Sequence, residues 1–348
     1  MEILKNKYEN ILVIQTAFLG DAILTLPLIQ KLNDKFLDAK IDVVSNPSTV
    51  EIFKASLYVR NIFVLDKRGN HKSLTDLYNF VKELRKNNYT KIFSPHRSFR
   101  SGLITLLLQV DDTTGFDNSS LKYAYKNLVK YNLDDHEVKR NLLFTGENFN
   151  NDDWKIIPKV VIDQQLKDEV KKYINENNLS NGFFAIAPGS VWQTKRYPDK
   201  YFSQLINALI AEGHKIVMVG GSEDKELCEI IALNCTDFPV IAAGRFNILG
   251  SIELLKYSNL LITNDSAPTH LGVTADIPVL TIYCSTVPDF GFYAYNKRSS
   301  YISYDDLNCK PCGIHGYHNC PIATFDCGYK LTTNDILSKI KQMMQTNE

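Results

Sequence analysis

The sequence predicts an α/β protein made of two doubly wound halves that face each other across a cleft. Short apolar runs such as Ile11–Ile14 and Phe183–Ala187 alternate with longer amphipathic segments, a pattern typical of parallel strands connected by helices. The length of 348 residues suits two domains, and the polar, turn-prone stretch Asn148–Asp153 is the candidate linker between them. Ligands are therefore expected at the carboxyl ends of the strands, where the connecting loops open.

In the first half, short apolar runs predict strands at Ile11–Ile14, Ile41–Val44, Ile62–Leu65 and Lys91–Ser94. The helix after the first strand carries apolar residues from Ile23 to Leu32. We expect Pro27 to kink that helix or break it in two, because proline cannot donate a helical hydrogen bond. Further helices are predicted near Ser73–Lys86 and Gly102–Leu108, whereas residues 113–132 suggest irregular structure.

The second half repeats the alternation more clearly. Its predicted strands are Val160–Ile162, Phe183–Ala187, Ile216–Val219, Val240–Ile241, Leu260–Thr263 and Val279–Tyr283. Its predicted helices are Asp163–Asn178, Asp199–Glu212, Glu223–Asn234, Ile248–Tyr257, Ala267–Ala275 and Asp335–Met344.

Composition excludes several classes of protein. A hydrophobic content of 44% with 22% charged residues is ordinary for a globular chain and excludes a mostly disordered one. Lys+Arg and Asp+Glu both number 39, so net charge gives no case for a nucleic-acid partner. No apolar stretch is long enough to span a membrane, and Met1–Lys7 lacks the apolar core of a signal peptide. The odd count of seven cysteines then indicates reduced thiols in the cytoplasm.

Asp21 follows Gly20 at the point where the first strand gives way to a helix. The glycine would allow a ligand to approach the backbone, and the aspartate would lie at the edge of the cleft. Alternatively, Asp21 is an N-cap that accepts hydrogen bonds from the first-turn amides. The two roles conflict, since a helix N-terminus lowers the pKa of a carboxylate, so a catalytic Asp21 would require desolvation.

The loop Pro188–Pro198 follows a strand and combines small and hydroxyl residues with Lys195 and Arg196. Hydroxyl and ammonium groups at a strand end suit a phosphate. The alternative is a plain turn at Pro188-Gly189 and a solvated pair of cations. The segment is not a GxxxxGK[ST] phosphate loop, which argues against a P-loop nucleotide hydrolase.

Two more strand-to-helix junctions carry polar residues. At Thr263–His270, Ser266 and the following amides are suited to hold an anion, with His270 one turn into the helix; the alternative is a capping segment. After Gly220-Gly221, a carboxylate is suited to bind ribose hydroxyls or only to stabilise the helix dipole. The candidates for it are Glu223, Asp224 and Glu226. The absence of GxGxxG argues against a nicotinamide dehydrogenase.

Taken in order, these segments resemble those of the bacterial heptosyltransferases (glycosyltransferase family 9), which extend the lipopolysaccharide core with ADP-heptose. The resemblance covers nearly the whole chain and is weakest in the middle of the first half. The matching pieces are Ile11–Gln15, Leu19–Asp21, Thr25–Leu28, Ala187–Ser190, Thr194–Pro198, Val219–Gly221, Thr263–Leu271, Pro278-Val279 and the late cysteines. It implies the GT-B architecture: an acceptor-binding domain over 1–160, a nucleotide-sugar donor domain over 161–334, and a C-terminal helix over 335–348 that packs back on the first domain.

The resemblance also implies an inverting transfer of heptose without a cofactor. Asp21 would be the general base that takes the proton of the acceptor hydroxyl. Lys195 would neutralise charge on the departing ADP, with Ser190 and Thr194 near the phosphates. The sugar-diphosphate site would be lined by Asp265, Ser266, Ala267 and His270, and the acceptor, lipid-linked or oligosaccharide, would meet His96, Arg97 and Arg100. Alternatively, the two arginines are a solvated pair.

Three residues depart from the family pattern. Gln15 stands where arginine is frequent, Ala267 where glycine is usual, and Thr269 where methionine is usual. These departures leave the identity of the donor sugar open. The alternative functions are a glycosyltransferase that uses another nucleotide sugar or a protein acceptor, and a catalytically silent protein that binds nucleotide sugars. The resemblance places the protein in the cytoplasm, at the inner face of the membrane.

Four cysteines lie close together near the end of the second half. They are Cys309, Cys312, Cys320 and Cys327, with two histidines between them. A Cys-x2-Cys pair with two further thiols is suited to a structural zinc or iron ion, and the alternative is a loop of free thiols. Such an ion would organise the loop and take no part in the chemistry.

Overall fold

A computed structural model describes Glu9–Gln345, and within it the chain divides into two compact units after Val161. The division lies one residue beyond the predicted domain boundary. The stretch Met1–Lys7, which we interpreted as lacking a signal peptide, lies outside the described residues, as do the last three residues of the predicted C-terminal segment.

The first unit contains one parallel six-stranded sheet with helices between its strands. The strands are β1 Asn10–Ile14, β2 Lys40–Ser45, β3 Val59–Val64, β4 Lys91–Ser94, β5 Asp112–Phe116 and β6 Asn127–Val129. The helices are α1 Leu19–Lys35, α2 Val50–Lys54, α3 Leu74–Arg85, α4 Phe99–Leu108 and α5 Glu137–Leu142. The spatial order of the strands is β3-β2-β1-β4-β5-β6, so the order reverses between β1 and β4.

The second unit repeats this plan. Its strands are β7 Phe183–Ala187, β8 Ile216–Met218, β9 Val240–Ile241, β10 Ser258–Asn264, β11 Val279–Tyr283 and β12 Ser300–Ser303. Its helices are α6 Gln164–Glu176, α7 Asp199–Ala211, α8 Lys225–Leu233, α9 Ile248–Leu255, α10 Ala267–Thr274, α11 Asp326–Tyr329 and α12 Thr333–Gln345. The strand order β12-β11-β10-β7-β8-β9 again reverses between its first and fourth strands, β7 and β10.

The apolar runs of the sequence form the central strands because helices cover both faces of a parallel sheet. Ile11–Ile14 is completely buried, and Phe183–Ala187 is at most 1% exposed. In an open parallel sheet, ligands bind at the carboxyl edge where the strand order reverses. The loops after β1, β4, β7 and β10 lie at those two points, and they carry most of the predicted site residues.

Several predicted elements differ from the structure. α1 runs from Leu19 to Lys35 without interruption, so the expected break at Pro27 is wrong. Val160–Ile162 is not a strand, and the region expected to be irregular, residues 113–132, contains most of β5 and all of β6. β5 is hidden in the sequence because its Asp-Thr-Thr-Gly start is polar. Gly115 lies under the ring of Tyr125, which leaves no space for a side chain there.

The C-terminal helix α12 packs within its own unit, whereas the sequence led us to expect packing on the first domain. Ile336, Ile340 and Met343 are buried in the hydrophobic core of the second unit, where α12 contacts α7. Lys341 also forms an ion pair with Glu212 at 2.8 Å. The apolar face of this amphipathic helix is therefore already covered by the second unit.

None of the helices within residues 9–345 combines the length and the apolar character that crossing a membrane requires.

Candidate active site

In the second unit, Asn264 joins the loops that follow β7 and β10. Its side-chain amide donates to the Pro188 carbonyl at 2.7 Å, and its amide oxygen accepts from the Tyr197 N–H at 2.9 Å. Ser266 adds a hydroxyl hydrogen bond to the Gly189 carbonyl at 3.2 Å. Because Asn264 is completely buried, these bonds fix the two loops against each other at the carboxyl edge of the sheet.

Lys195 and Asp265 form an ion pair at this edge. The Lys195 ammonium lies 2.6 Å from Asp265 Oδ2, and both side chains are close to nine-tenths buried. The Thr286 hydroxyl donates to the same carboxylate oxygen at 2.7 Å. A buried ion pair of this kind needs such extra hydrogen bonds to offset its desolvation. The pair places a positive charge beside the start of α10.

The start of α10 is suited to an anion. Ser266 is the N-cap, Ala267 is the first helical residue, and Pro268 occupies the first turn, where a missing N–H costs nothing. His270 is buried one turn further on, and burial lowers its pKa to about 4, so the ring is neutral at pH 7. Its Nδ1 is buried and lacks a hydrogen-bond partner in the described part of the chain. Such an atom is costly unless a ligand or water satisfies it.

Only one of the three candidate ribose carboxylates is held in place among these loops. Asp224 accepts a hydrogen bond from the Gly221 N–H at 3.0 Å, and its carboxylate lies so close to Gly189 that a side chain there would collide with it. Burial raises the pKa of Asp224. Glu223 and Glu226 are exposed.

Ser190 and Thr194 lie on the loop after β7, and both are buried. The Ser190 carbonyl accepts from Arg196 Nε at 2.8 Å, which holds the arginine along its own loop. The Thr194 hydroxyl is engaged by the protein itself, through the backbone of Tyr317 and the hydroxyl of Ser285. The expected contact of Thr194 with phosphates is therefore not supported by the geometry of its hydroxyl.

Asp21 lies in the first turn of α1 but is not its N-cap. The N-cap is Phe18, so the alternative interpretation of Asp21 as the N-cap is wrong. The side chain is partly exposed. Desolvation raises the pKa of Asp21 to about 7, and the negative charge of Glu137 adds to this, while the amides of Phe18 and Asp21 and the charge of Arg97 act in the opposite direction. The desolvation that a catalytic Asp21 requires is therefore present.

A buried network lies beside Asp21. Arg140, which is 0% exposed, donates to Glu137 at 2.9 Å and to the Tyr131 hydroxyl at 2.7 Å. Two guanidinium groups also lie near the Tyr131 ring, since those of Arg97 and Arg140 are 4.0 and 4.5 Å from its centroid. The stack on Tyr131 fixes the position of Arg97, one of the predicted acceptor-binding residues.

The other two predicted acceptor residues have partners inside the first unit. His96 Nδ1 lies 2.8 Å from the Thr16 hydroxyl and 3.0 Å from that of Ser101, and burial lowers its pKa to about 4. Arg100 donates to the carbonyls of His71 and Lys72 at 2.8 and 2.9 Å. The alternative of a solvated arginine pair is therefore wrong, because Arg97 stacks on a ring and Arg100 binds backbone.

The four late cysteines line one cavity of about 190 Å³, together with aromatic and proline side chains. All seven cysteines are free thiols. Burial raises the pKa of the Cys320 thiol, but four backbone amides that follow it offset this, so the pKa lies below its ordinary value. Within residues 9–345, no three histidine, cysteine or acidic side chains are close enough together to hold a metal ion.

Several residues at the site were not predicted from the sequence. Asn264 is the last residue of β10 and Thr286 follows β11, so their position at a strand end was an available signal. Glu137 and Tyr131 lie more than a hundred residues from Asp21 along the chain, in a region without a motif, and no sequence signal pointed to them. Gln15, noted as a departure from the family, is buried and bonded to Thr25 at 3.0 Å.

Comparison with known proteins supports the family resemblance of the sequence. The profile of glycosyltransferase family 9 (heptosyltransferase) matches residues 77–318. The chain is 22% identical over 285 residues to lipopolysaccharide heptosyltransferase 3 of Escherichia coli, covering 77% of this chain and 82% of that protein.

Solved structures show the same fold. A glycosyl transferase family 9 protein of Veillonella parvula has a TM-score of 0.85 and 19% identity, covering 97% of this chain and 98% of that one. The E. coli ADP-heptose lipopolysaccharide heptosyltransferase II has a TM-score of 0.78 and 18% identity, covering 97% and 99%. The predicted α/β fold of the GT-B class is therefore confirmed, and the fold is that of a glycosyltransferase. The chain belongs to glycosyltransferase family 9.

Proposed function

We propose that this protein is an inverting glycosyltransferase that transfers a heptose from ADP-heptose to the inner core of lipopolysaccharide. The names of its curated relatives support this activity. The observation that carries the proposal is the Lys195–Asp265 ion pair beside the N-terminus of α10, where the Nδ1 atom of buried His270 lacks a partner in the described chain. A cation, helix amides and an unsatisfied ring nitrogen together suit a sugar diphosphate.

On the donor side, Lys195 and the first amides of α10 stabilise the charge that develops on ADP as the bond to the sugar breaks. His270 is neutral at pH 7, so it acts as a hydrogen-bond partner rather than as a second cation. Asp224 is the best placed of the three carboxylates for the ribose hydroxyls, because it is fixed among the loops at the sheet edge. Ser190 and Ala267 complete the backbone around the diphosphate.

On the acceptor side, Asp21 is the general base. Its carboxylate takes the proton of the acceptor hydroxyl while the oxygen attacks the anomeric carbon from the face opposite to ADP. The bond to the diphosphate oxygen breaks, ADP leaves, and the configuration of the sugar is inverted. A pKa of about 7 matches this task, because a base is most effective when its pKa lies near the working pH.

Cations of the first unit suit an anionic acceptor. Arg97 is held on the Tyr131 ring, and Lys67 donates to the Thr16 carbonyl at 3.2 Å. Burial lowers the pKa of Lys67 to about 8, which still leaves it mostly charged at pH 7. Phosphate or carboxylate groups of a lipid-linked core at the inner membrane face would be recognised by these charges.

The identity of the donor is tested by binding and transfer with a panel of nucleotide sugars. ADP-heptose is expected to raise the melting temperature more than UDP- or GDP-sugars, and to be consumed when a heptose-deficient lipopolysaccharide core is added. A preference for UDP- or GDP-sugars would show that the donor is another nucleotide sugar, and transfer to a protein would show that the acceptor is a protein. Stabilisation without turnover on any acceptor would leave only a nucleotide-sugar-binding protein.

We also propose that the four late cysteines bind a structural zinc or iron ion. Four thiols around one cavity are the donor set that these metals prefer. Metal content is measured on protein purified without chelator. Cys309→Ser and Cys312→Ser are expected to lose the metal, whereas Cys235→Ser, a thiol outside the cavity, should retain it. Metal-free wild-type protein would contradict the proposal.

A further inference from the structure

The cysteine-rich loop, residues 309–327, is joined to the loop that carries Lys195. We call residues 188–198 the Lys195 loop. The Thr194 N–H and hydroxyl both donate to the Tyr317 carbonyl at 3.0 Å, and the Tyr317 N–H donates back to the Thr194 hydroxyl at 2.8 Å. Three hydrogen bonds therefore join Thr194, the residue directly before Lys195, to a single residue of the cysteine-rich loop.

The Thr194 hydroxyl has no capacity left for a ligand. A hydroxyl offers one donor and two acceptor positions. Its donor is used by the Tyr317 carbonyl, and its acceptors are used by the Tyr317 N–H and by the Ser285 hydroxyl at 3.0 Å. Since Thr194 is only 4% exposed, these bonds take the place of hydrogen bonds to water. The Thr194 hydroxyl thus joins the Lys195 loop to the cysteine-rich loop and to Ser285.

Two further contacts bind the loops together. The Cys312 N–H donates to the Ser285 carbonyl at 2.8 Å, so the path from the thiols to Thr194 runs through a single residue. Trp192, also on the Lys195 loop, lies 4.9 Å from His318, measured between ring centroids. The position of Lys195 is therefore set from the side of the cysteine-rich loop as well as from that of Asp265.

Gly316 shows how closely the two loops approach. Its φ is +74°, and a Cβ added there would lie 2.9 Å from the hydroxyl oxygens of both Thr194 and Ser285 and 3.4 Å from Lys195 Cγ. Gly313 in the same loop has a similar φ of +67°, but a Cβ there would meet nothing within 4 Å. Both glycines adopt a positive φ that favours glycine, but only at Gly316 would a side chain press on Thr194 and Ser285.

We infer that Thr194 is a positioning residue, through which the cysteine-rich loop holds the Lys195 ammonium in place for the donor diphosphate. The inference rests on the proposed function, because it gives Lys195 a donor to bind. It removes Thr194 from the phosphate contacts and gives the cysteine-rich loop a role at the donor site.

The first test compares hydroxyl deletions in the full-length protein. Thr194→Val is expected to raise the Kd for ADP about fivefold to tenfold, the scale of one or two lost hydrogen bonds, while Thr194→Ser stays within about twofold of wild type. Thr145→Val is the matched control, since Thr145 is equally buried and, among residues 9–345, its hydroxyl bonds to the backbone of Leu142 and Glu147. Equal Kd values for Thr194→Val and Thr145→Val would overturn the inference.

The second test uses the glycines and does not depend on removing a hydrogen bond. Both Gly313→Ala and Gly316→Ala impose backbone strain, so both are expected to lower the melting temperature. Only Gly316→Ala is expected to raise the Kd for ADP, by about threefold or more if it displaces Thr194 by a few tenths of an ångström. Equal ADP affinity in the two folded variants would contradict the inference.

Lys195→Met separates this inference from the proposed function. If that variant binds ADP as wild type does, the proposed donor site itself is wrong. If it loses affinity while Thr194→Val and Gly316→Ala retain it, only the positioning role fails.

Discussion

Asp21 in the first unit and Asp265 in the second occupy similar places and have opposite surroundings. Asp265 directly follows the central strand β10, and Asp21 lies in the first turn of the helix after the central strand β1, so each is beside the point where the strand order of its sheet reverses. Asp265 is neutralised by Lys195 at 2.6 Å and by the Thr286 hydroxyl. Asp21 forms no ion pair within the described residues 9–345, and its largest charged influence is the negative Glu137.

This difference shows how two carboxylates acquire different chemistry. The ion pair with Lys195 lets Asp265 orient a cation, whereas desolvation and a like charge raise the pKa of Asp21 to about 7. A group that must take up a proton benefits from the second environment, and a group that must hold Lys195 benefits from the first.

The largest expected effect comes from removing the base. Asp21→Asn keeps the size of the side chain but cannot accept the proton, so kcat should fall by about 100-fold or more. The Kd for ADP should stay within about twofold, because Asp21 plays no part in binding ADP in our account. Isothermal titration and a transfer assay measure the two quantities, and near-normal turnover would remove Asp21 from the mechanism.

Lys195→Met is expected to have the next largest effect. It removes the cation for the diphosphate, so donor affinity and kcat should each fall by about tenfold or more. It also leaves the buried Asp265 carboxylate without its partner, which lowers the free energy of unfolding by about 3 kcal/mol. A double variant, Lys195→Met with Asp265→Asn, should recover part of the stability but not the donor affinity. Unchanged unfolding free energy in the single variant would show that the pair is not buried as described.

The last expected effect is a gain in stability that depends on pH. The pKa of Asp21 is about 7 in the folded protein against an ordinary value near 4, so folding binds a proton between these pH values. Stability attributable to Asp21 is complete below about pH 4 and is lost as pH rises through about 7. Asp21→Asn should therefore be more stable than wild type at pH 8, by at most about 4 kcal/mol, and the difference should vanish near pH 4. Urea unfolding at the two pH values checks this sign.

The sequence predicted the central strands well because their apolar runs are buried on both faces, as Phe183–Ala187 and Val279–Tyr283 show. It failed at β5 and β12, since short strands toward the sheet edges lack a continuous apolar run. It did not predict that α12 buries its apolar face in the second unit, because an amphipathic pattern gives a buried face without saying what covers it.

At the candidate site, residue type and position after a strand brought out Asp21 and Lys195, and the family resemblance added Asp265. Contacts between residues far apart in the chain could not be predicted from the sequence. Nothing in the Thr194 segment indicated that Tyr317, more than a hundred residues later, occupies its hydroxyl. The charge of Glu137 beside Asp21 was equally hidden, although it helps to set the property on which the mechanism depends.

The pH dependence of kcat/KM for the acceptor tests the central claim most directly, because it reports the pKa of the base in the free enzyme. Our account predicts that, between pH 5 and pH 9, kcat/KM falls tenfold per pH unit below a midpoint near 7. The residual activity of Asp21→Asn should lack this limb. A wild-type profile that stays flat down to pH 5 would mean that Asp21 has an ordinary pKa or is not the base, and it would contradict the account.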